Sequence, residues 1–339
     1  MWLACLWLSH ALLGAAPAPS AGLGEIPALH AGPEYQRGVA LGMYDVDGDY
    51  DYKPAIDAIA KTGATHVSVV VVYYQETVNS TGIGPRKEYS PTVGNIHRTL
   101  RYLKQKGLKA TLFPIVHIIT RGPGDWRGKI HPDDWNLWFS SYKVFIGEMA
   151  QIAQSEHAEY LVVGTEYVSS ETMRDRWLDV ITHVRGIFDK QLIYSANWDH
   201  FDPVSFWDAV DIMGVTAYHK MTADNFDPGV EEMTRAWEPV KRRLHSLKER
   251  LHKPLIITEI GYPSLDGANA YPWDETRQVK VDVEEQRRCY EAFARAFAND
   301  TTLSGIYWWI WFHGGGPQDT GFTPEGKPAT DAIKAFFRR

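Results

Sequence analysis

The sequence is poor in cysteine, with 2 such residues among 339. Cys5 lies in an apolar N-terminal segment that we expect to be removed, so Cys289 is left alone and cannot form an intrachain disulfide. Cys289 lies in a helical pattern, and no histidine stands out as its partner, which favours a buried structural thiol over a catalytic one. The chemistry of the protein therefore has to be sought in other side chains.

Long runs of basic residues are also missing. The chain has 35 Lys and Arg against 42 Asp and Glu, which gives a net charge of −7 and a pI near 6.0. Because binding to nucleic acid needs a concentrated cationic face, we exclude a nucleic-acid partner. Hydrophobic residues make up 44% of the chain, which is enough for a large core.

No apolar run is long enough to predict a membrane span. Residues 1–21 contain no Asp, Glu, Lys or Arg, and their apolar core is followed by small residues that suit signal-peptidase cleavage. We expect a signal peptide over 1–21, an N-terminal extension over 22–36 and a single catalytic domain over 37–339, with a disordered tail as the alternative for the first segment. This predicts a secreted or periplasmic protein, which we expect to be a monomer.

A glycine-rich phosphate loop is absent after the first predicted strand, which argues against an open, doubly wound sheet. Instead, short apolar runs rich in β-branched residues alternate eight times with longer stretches, most of them amphipathic, as in buried parallel strands with helical crossovers. We therefore predict an α/β fold, a (β/α)₈ TIM barrel. The predicted strands are Gly38–Tyr44, Thr65–Tyr73, Lys109–His117, Tyr160–Thr165, Leu192–Asn197, Ile212–Ala217, Leu255–Glu259 and Gly305–Ile310. The predicted helices are Lys53–Lys61, Ile96–Lys106, Trp135–Gln154, Thr172–Phe188, Val230–Leu251, Glu284–Ala298 and Ala329–Phe337.

Two glutamates lie where the active site of such a barrel is found, at the C-terminal ends of the strands. Glu166 follows the fourth predicted strand and Glu259 ends the seventh. Two facing carboxyl groups can perform glycoside hydrolysis: one protonates the leaving oxygen, and the other attacks the anomeric carbon or activates water. The alternative for each glutamate is a structural salt bridge or a helix cap.

Three stretches of the sequence resemble glycoside hydrolase family 113, which contains β-mannanases. They are Val163–Glu166, Ile257–Pro263 and Gly321–Ala329, and the similarity covers the chain after residue 36. The resemblance implies a retaining enzyme with Glu166 as general acid/base and Glu259 as nucleophile, whose carboxyl groups lie about 5–5.5 Å apart. Much of the wider clan A has Asn immediately before the acid/base. This sequence has Thr165 there, so a preference between mannose and glucose does not follow from the clan.

Polar and aromatic side chains near the other strand ends are candidate sugar ligands. Tyr218 is expected, from the clan, to hydrogen-bond to the nucleophile. Strand alternation places Trp309 and Trp311 on one face, where their indoles can stack on pyranose rings. For each residue a structural role in the barrel is the alternative. The predicted substrate-binding residues are Gln75, His117, Thr165, Asn197, Trp198, Tyr218, Trp309 and Trp311.

We expect no metal and no cofactor. The acidic loop Asp45–Asp51 has its glycine out of place for an EF-hand and no glutamate at the twelfth position, which favours a solvated loop. We predict a glycoside hydrolase that cleaves a β-linked hexose polysaccharide or oligosaccharide, with β-1,4-mannan as first choice. The alternatives are a retaining enzyme for another glycan, such as β-glucan, and a non-catalytic glycan-binding barrel. Endo and exo cleavage both stay open.

Overall fold

Eight parallel strands close into a barrel in the order β1 to β8, and β8 returns to pair with β1. The computed structural model describes residues 26–32, 34–223, 225–312 and 314–338. The predicted (β/α)₈ TIM barrel is therefore confirmed. The strands are β1 (Gln36–Gly42), β2 (His66–Gln75), β3 (Lys109–Ile118), β4 (Tyr160–Thr165), β5 (Gln191–Ala196), β6 (Ile212–Thr216), β7 (Leu255–Ile260) and β8 (Gly305–Trp311).

An α-helix follows every strand except β5. The crossover from β5 to β6 holds a short 3₁₀ helix instead, Trp207–Ala209. The α-helices of the described residues are α1 (Lys53–Ala60), α2 (Val93–Gln105), α3 (Trp135–Ser155), α4 (Arg174–Arg185), α5 (Val230–Leu251), α6 (Val283–Phe297) and α7 (Pro328–Phe337). Side chains of Thr92, Asp134 and Asp282 accept backbone N–H bonds at the starts of α2, α3 and α6. These caps satisfy N–H groups that have no partner within the helix, and the predicted starts of the seven helices lie within three residues of the observed ones.

Strand alternation divides the hydrophobic core into two layers. In β2, Val70 and Val72 belong to the cluster inside the barrel, whereas Val69 and Val71 belong to the layer between barrel and helices. Inside the barrel, the Tyr307 hydroxyl donates to Oε1 of Gln36 at 2.7 Å. Because the barrel interior is filled by side chains, a substrate site has to lie at the strand ends.

The residues before β1 pack against the last helix. Ile26 and Leu29 are buried, and the N–H of Leu29 donates to the carbonyl of Phe336 at 2.8 Å. The predicted signal peptide, 1–21, lies outside the described residues, and the boundaries of the segments 22–36 and 37–339 stay predictions. Across the described residues, no helix combines the length and apolar character needed to cross a membrane.

Cys289 is buried in α6, and its Sγ lies 3.7 Å from Sδ of Met233. Burial raises the pKa of the thiol well above its usual value. The thiolate that nucleophilic chemistry requires is therefore disfavoured, which agrees with the predicted structural role.

Candidate active site

Glu166 follows β4 in a left-handed backbone conformation, with a φ of 56°. This conformation costs a non-glycine residue roughly 1–2 kcal/mol. Such positions cluster at functional sites, where the surrounding structure holds them in place. Here the N–H of Glu166 donates to the carbonyl of Ser195 on β5 at 2.8 Å.

The indole of Trp177, from α4, packs against the end of β4. It stacks on the ring of Tyr167 with a centroid separation of 5.8 Å. Gly164 permits this packing, because a Cβ at that position would lie 2.8 Å from Cη2 of the indole. A side chain at residue 164 would push the indole away and shift the strand that carries Glu166.

Both carboxylate oxygens of Glu166 have a donor beside them. Oγ1 of Thr216 donates to Oε1 at 3.0 Å. Nη2 of Arg127 lies 2.9 Å from Oε2, in an ion pair whose side chains are 15% (Arg127) and 7% (Glu166) exposed. Sequence reasoning missed this pair, because Arg127 lies in the long loop between β3 and α3, whose path residue spacing does not predict.

Glu259 lies in β7 and is buried. Burial and the carboxyl group of Glu166 raise the pKa of Glu259, whereas Arg127 and Tyr218 oppose that rise. The Tyr218 hydroxyl donates to Oε2 of Glu259 at 3.0 Å, which is the contact expected from the clan. Oε1 of Glu259 has no hydrogen-bond partner among the described residues.

The two glutamates line one cleft with a volume of 620 Å³, a size typical of small-molecule sites. Five predicted sugar ligands line it as well: His117, Asn197, Trp198, Tyr218 and Trp309. Further lining residues were not among the predicted site residues, namely Arg121, Asp125, Trp126, Arg127, Asp199, Trp273, Glu275 and Phe322. Most of these lie in loops after β3, β7 and β8, so the barrel pattern contained no signal for them.

Three predicted sugar ligands, Gln75, Thr165 and Trp311, do not line this cleft. The amide of Gln75 is engaged within the protein: Oε1 accepts from Nε1 of Trp138 at 2.9 Å, and Nε2 donates to the carbonyl of Thr77 at 2.7 Å. Thr165 is fully buried in β4. All three residues lie near the ends of strands. That position alone does not determine whether a side chain faces the cleft or the layer outside the barrel.

Trp309 and Trp311 do not share a face of β8, so the predicted alternation is wrong at this point. In the pairing of β1 with β8, Val39 lies opposite Trp308 and Leu41 lies opposite Trp311. The step is two residues along β1 but three along β8, so β8 has one extra residue here. Such a bulge reverses the alternation of the strand. Trp309 therefore lines the cleft, while Trp311 packs in the outer layer.

His117 is half-buried at the end of β3 and meets the ring of Tyr74 edge-on at 6.0 Å. Burial, with the positive charges of Arg127 and Arg121, lowers the pKa of His117 to about 3. The imidazole is therefore neutral near pH 7. It can exchange hydrogen bonds with a sugar hydroxyl, but it is not poised as a proton donor.

Among the described residues, one group of carboxylates is close enough to share a cation: Asp266, Asp282 and Glu285. None of the three lines the cleft, and both Glu285 oxygens accept bonds from the N–H groups of Gly267 and Asn269. In the acidic loop after β1, the N–H of Asp47 donates to Oδ1 of Asp45 at 2.8 Å, and Oδ1 of Asp49 accepts from Oγ1 of Thr92 at 2.7 Å.

Glu171, just after β4, is a buried carboxyl group that does not line the cleft. Tyr194 donates to its Oε1 at 2.8 Å, and burial raises the pKa of Glu171 from 4.5 to about 8. The folded state therefore binds this proton more tightly than the unfolded chain, and stability falls as pH rises between these values. We expect Glu171→Gln to melt above wild type at pH 9 and close to it at pH 5. Thermal denaturation at both pH values tests this, and an equal difference at the two would contradict it.

Comparison with known proteins shows similarity in sequence and in structure. The sequence profile of glycoside hydrolase family 113 matches residues 39–325. The family 113 β-mannanase of Alicyclobacillus acidocaldarius, solved in complex with ManMIm, is 26% identical with a TM-score of 0.80, and the match covers 89% of this chain and 97% of that chain. A family 113 β-1,4-mannanase is 23% identical with a TM-score of 0.80, over 89% and 98% of the two chains. A β-glucuronidase of Ruminococcus gnavus, in complex with D-glucuronic acid, is 11% identical with a TM-score of 0.62, over 90% of this chain and 49% of that chain. The last two likenesses support the fold alone. No curated protein matches the sequence.

Proposed function

The chain belongs to glycoside hydrolase family 113, and from this membership we propose that it is a retaining β-1,4-mannanase. The family expected from three sequence motifs is thereby confirmed, and the protein is a glycoside hydrolase with a carbohydrate substrate. Mannan is favoured because a solved family member with 26% identity is a β-mannanase. One observation carries the assignment of roles: buried carboxyl groups from β4 and β7, Glu166 and Glu259, meet in a single cleft.

In the first step, an oxygen of Glu259 attacks the anomeric carbon while Glu166 transfers a proton to the glycosidic oxygen. The bond between the anomeric carbon and that oxygen breaks, and a glycosyl ester of Glu259 forms. In the second step, Glu166 takes a proton from water, whose oxygen bonds to the anomeric carbon and releases Glu259. The unpartnered Oε1 of Glu259 and the bond from Tyr218 to Oε2 support its role as nucleophile.

Aromatic surfaces in the cleft support an oligosaccharide substrate. Trp309 lines the cleft, and Trp198 stacks on Trp273 with ring centroids 6.0 Å apart and planes 13° from parallel. The faces of an indole pack against apolar surfaces, and its N–H group can still donate a hydrogen bond to a polar neighbour. We propose that sugar rings stack on these indoles, with His117 and Asn197 as partners for their hydroxyl groups.

The substrate and the stereochemistry can be tested on the wild-type enzyme. We expect oligomers of β-1,4-mannan to be cleaved in preference to glucomannan, xylan, cellulose and chitin oligomers. Retention predicts that the β-anomer of the product appears first in a time course followed by proton NMR. Initial release of the α-anomer would contradict the double displacement, and cleavage of β-glucan without cleavage of mannan would favour the other glycan. Product lengths distinguish endo from exo action.

Tyr218→Phe is expected to move the acid limb of the kcat/KM profile to higher pH. The Tyr218 hydroxyl donates to Glu259 and favours its charged form, so its removal raises further a pKa that burial already raises. Glu259 then becomes ionised at a higher pH, by about one unit or less. The measurement is kcat/KM across pH for wild type and variant. An unmoved acid limb would show that the contact has no part in ionising the nucleophile.

We also propose that the enzyme is a secreted or periplasmic monomer whose signal peptide is residues 1–21. The apolar, uncharged segment and the small residues after it support this proposal. N-terminal sequencing of exported protein should begin near residue 22, and light scattering should give the mass of one chain. Exported protein that retains residues 1–21 would contradict the signal peptide. A mass of two chains would contradict the monomer.

A further inference from the structure

A row of aromatic rings extends from the cleft across the loops that follow β6 and β7. Trp273 lines the cleft and is 43% exposed. Its ring centroid lies 6.3 Å from that of Tyr271, and the ring of Tyr271 stacks on that of Phe226 with centroids 6.2 Å apart. Phe226 is 45% exposed and does not line the cleft. We call these three residues the aromatic ledge.

Cationic side chains contact the middle of the aromatic ledge. Nζ of Lys220 lies 5.3 Å from the ring centroid of Tyr271 and 5.4 Å from that of Trp273, so one ammonium group reaches both rings. The guanidinium of Arg277 lies 4.5 Å from the centroid of Tyr271. Cation–π contacts at these distances stabilise the rings in their places. Tyr271 is thereby held between its neighbours, and Trp273 and Phe226 provide the exposed surface.

The ring of Phe226 packs on the loop that follows β7. A Cβ at Gly267 would lie 3.1 Å from Cδ1 of Phe226 and 3.0 Å from Nη1 of Arg277, so the glycine allows both side chains to approach the loop. Gly267 also has a φ of 77°, a left-handed conformation that glycine adopts without strain. Next to Phe226, Nδ2 of Asn225 donates to Oε2 of Glu232 in α5 at 3.0 Å. The end of the aromatic ledge is therefore fixed on two sides.

A buried residue, Asn269, joins the two loops that carry the aromatic ledge. Its carbonyl accepts the N–H of Met221 at 2.9 Å, and its Oδ1 accepts the hydroxyl of Thr222. The backbone N–H and the side-chain amide of Asn269 donate to Oε1 of Glu285 at 2.9 and 2.8 Å. Glu285 is completely buried in α6. Because the surface is preorganised, a ligand that binds it has little ordering of the protein to offset.

The aromatic ledge has the chemistry that a sugar ring requires. A pyranose has apolar C–H faces with hydroxyl groups at its edge, so it binds to flat apolar surfaces that have hydrogen-bonding groups beside them. The ammonium group of Lys220 can donate to a hydroxyl, and the carboxylate of Glu275, which lines the cleft, can accept from one. Continuity with the cleft favours the substrate as the ligand, because Trp273 belongs to both surfaces and stacks on Trp198.

Resting on the proposed function, we propose that the aromatic ledge binds further sugar rings of a β-1,4-linked chain that is cleaved between Glu166 and Glu259. A short oligosaccharide occupies the cleft without reaching Phe226, which lies outside it. A longer one gains an additional contact at each exposed ring that it reaches. The enzyme should therefore bind long oligosaccharides more tightly than short ones, and Phe226 should account for part of that difference.

The first test measures binding without hydrolysis, in the Glu259→Gln enzyme. Calorimetry with the trioses and hexaoses of β-1,4-mannan and of cellulose gives a Kd for each glycan at each length. We expect the hexaose to bind more tightly than the triose. Phe226→Ala in the same background should weaken hexaose binding about 2- to 10-fold and leave triose binding unchanged. Phe226→Trp, which keeps an aromatic face, should retain the tight binding of the hexaose.

Tyr102→Ala is the matched control. Lysine ammonium groups also lie over the ring of Tyr102, but this residue is on α2 and does not line the cleft. We expect this variant to bind both lengths like its parent. For either glycan to support the proposal, its hexaose must bind more tightly than its triose, and Phe226→Ala must reduce that difference. Failure of both glycans on either point would overturn the proposal. A wild-type dimer that Phe226→Ala converts to a monomer in light scattering would also overturn it, because the surface would then join two copies of the chain.

The second test measures hydrolysis by wild type and by Phe226→Ala. We expect kcat/KM for mannohexaose to fall about 2- to 10-fold in the variant, and kcat/KM for mannotriose to stay unchanged. Losses of equal size at the two lengths would contradict a contact with a distant sugar ring. A wild-type enzyme that cleaves no mannan would refute the proposed substrate, whereas binding of the cellulose oligomers still tests the aromatic ledge. The two failures are therefore distinguishable.

Discussion

Glu259→Gln is expected to lower the turnover of mannan oligosaccharides by at least about 10⁴-fold, the scale on which loss of a catalytic nucleophile acts. An amide nitrogen or oxygen does not form the glycosyl ester that the second step hydrolyses. The fold should survive, because burial and Glu166 already raise the pKa of Glu259 and a neutral amide suits that site. Steady-state kinetics and thermal melting of the same preparation measure both parts.

Glu171→Gln is the matched control for this variant. It removes another buried glutamate from the same end of the barrel, but Glu171 does not line the cleft. We expect its turnover to stay within about tenfold of wild type, because its carboxyl group is bonded to Tyr194 and does not line the cleft. Turnover of Glu259→Gln near the wild-type rate would remove Glu259 from the mechanism.

Glu166→Gln is expected to lower turnover of oligosaccharides by about 10²- to 10⁴-fold, the usual contribution of a positioned general acid or base. A glycoside with a 2,4-dinitrophenyl leaving group should be affected far less in the first step, because that phenolate departs without protonation. The second step still lacks its base, so the glycosyl-enzyme should accumulate. A burst of phenolate and an added sugar mass on the protein are the two measurements.

The dependence on the leaving group separates catalysis from structure. A variant that was merely misfolded would lose activity on oligosaccharide and activated glycoside by the same factor. Equal losses on both substrates would therefore contradict the role of Glu166 as acid/base. Addition of azide, a small nucleophile that needs no base, should restore turnover of the activated glycoside in Glu166→Gln and give a glycosyl azide.

The barrel and its two glutamates were predictable because both depend on local pattern. A buried parallel strand has to be apolar over its whole length, so the strand β4 was predicted with both its limits correct. In a closed barrel the ends of β4 and β7 meet at the same mouth, so Glu166 and Glu259 were predictable neighbours before any contact was known. The family motifs around them pointed to the same pair, and the profile match over residues 39–325 agrees.

The residues that the sequence did not predict depend on long-range contacts. Gln75 stands at a strand end, like the true cleft residues, but the indole of Trp138 on α3 engages its amide. The bulge in β8 arises in its pairing with β1, far away in the chain, and it alone separates Trp309 from Trp311. Arg127 and Trp273 come from loops, whose paths follow from packing on other elements rather than from periodicity.

The amino-acid sequence by itself determined the eightfold strand pattern, the position of two carboxyl groups at strand ends and the family, since each is written in residues close together along the chain. Tertiary structure alone decided the electrostatic state of the site. Burial of Glu259 beside Glu166 raises the pKa of Glu259, and Arg127 contacts Glu166 from a loop nearly 40 residues earlier in the chain. Charges act through space, so their effect on a proton depends on distances that only the folded chain defines.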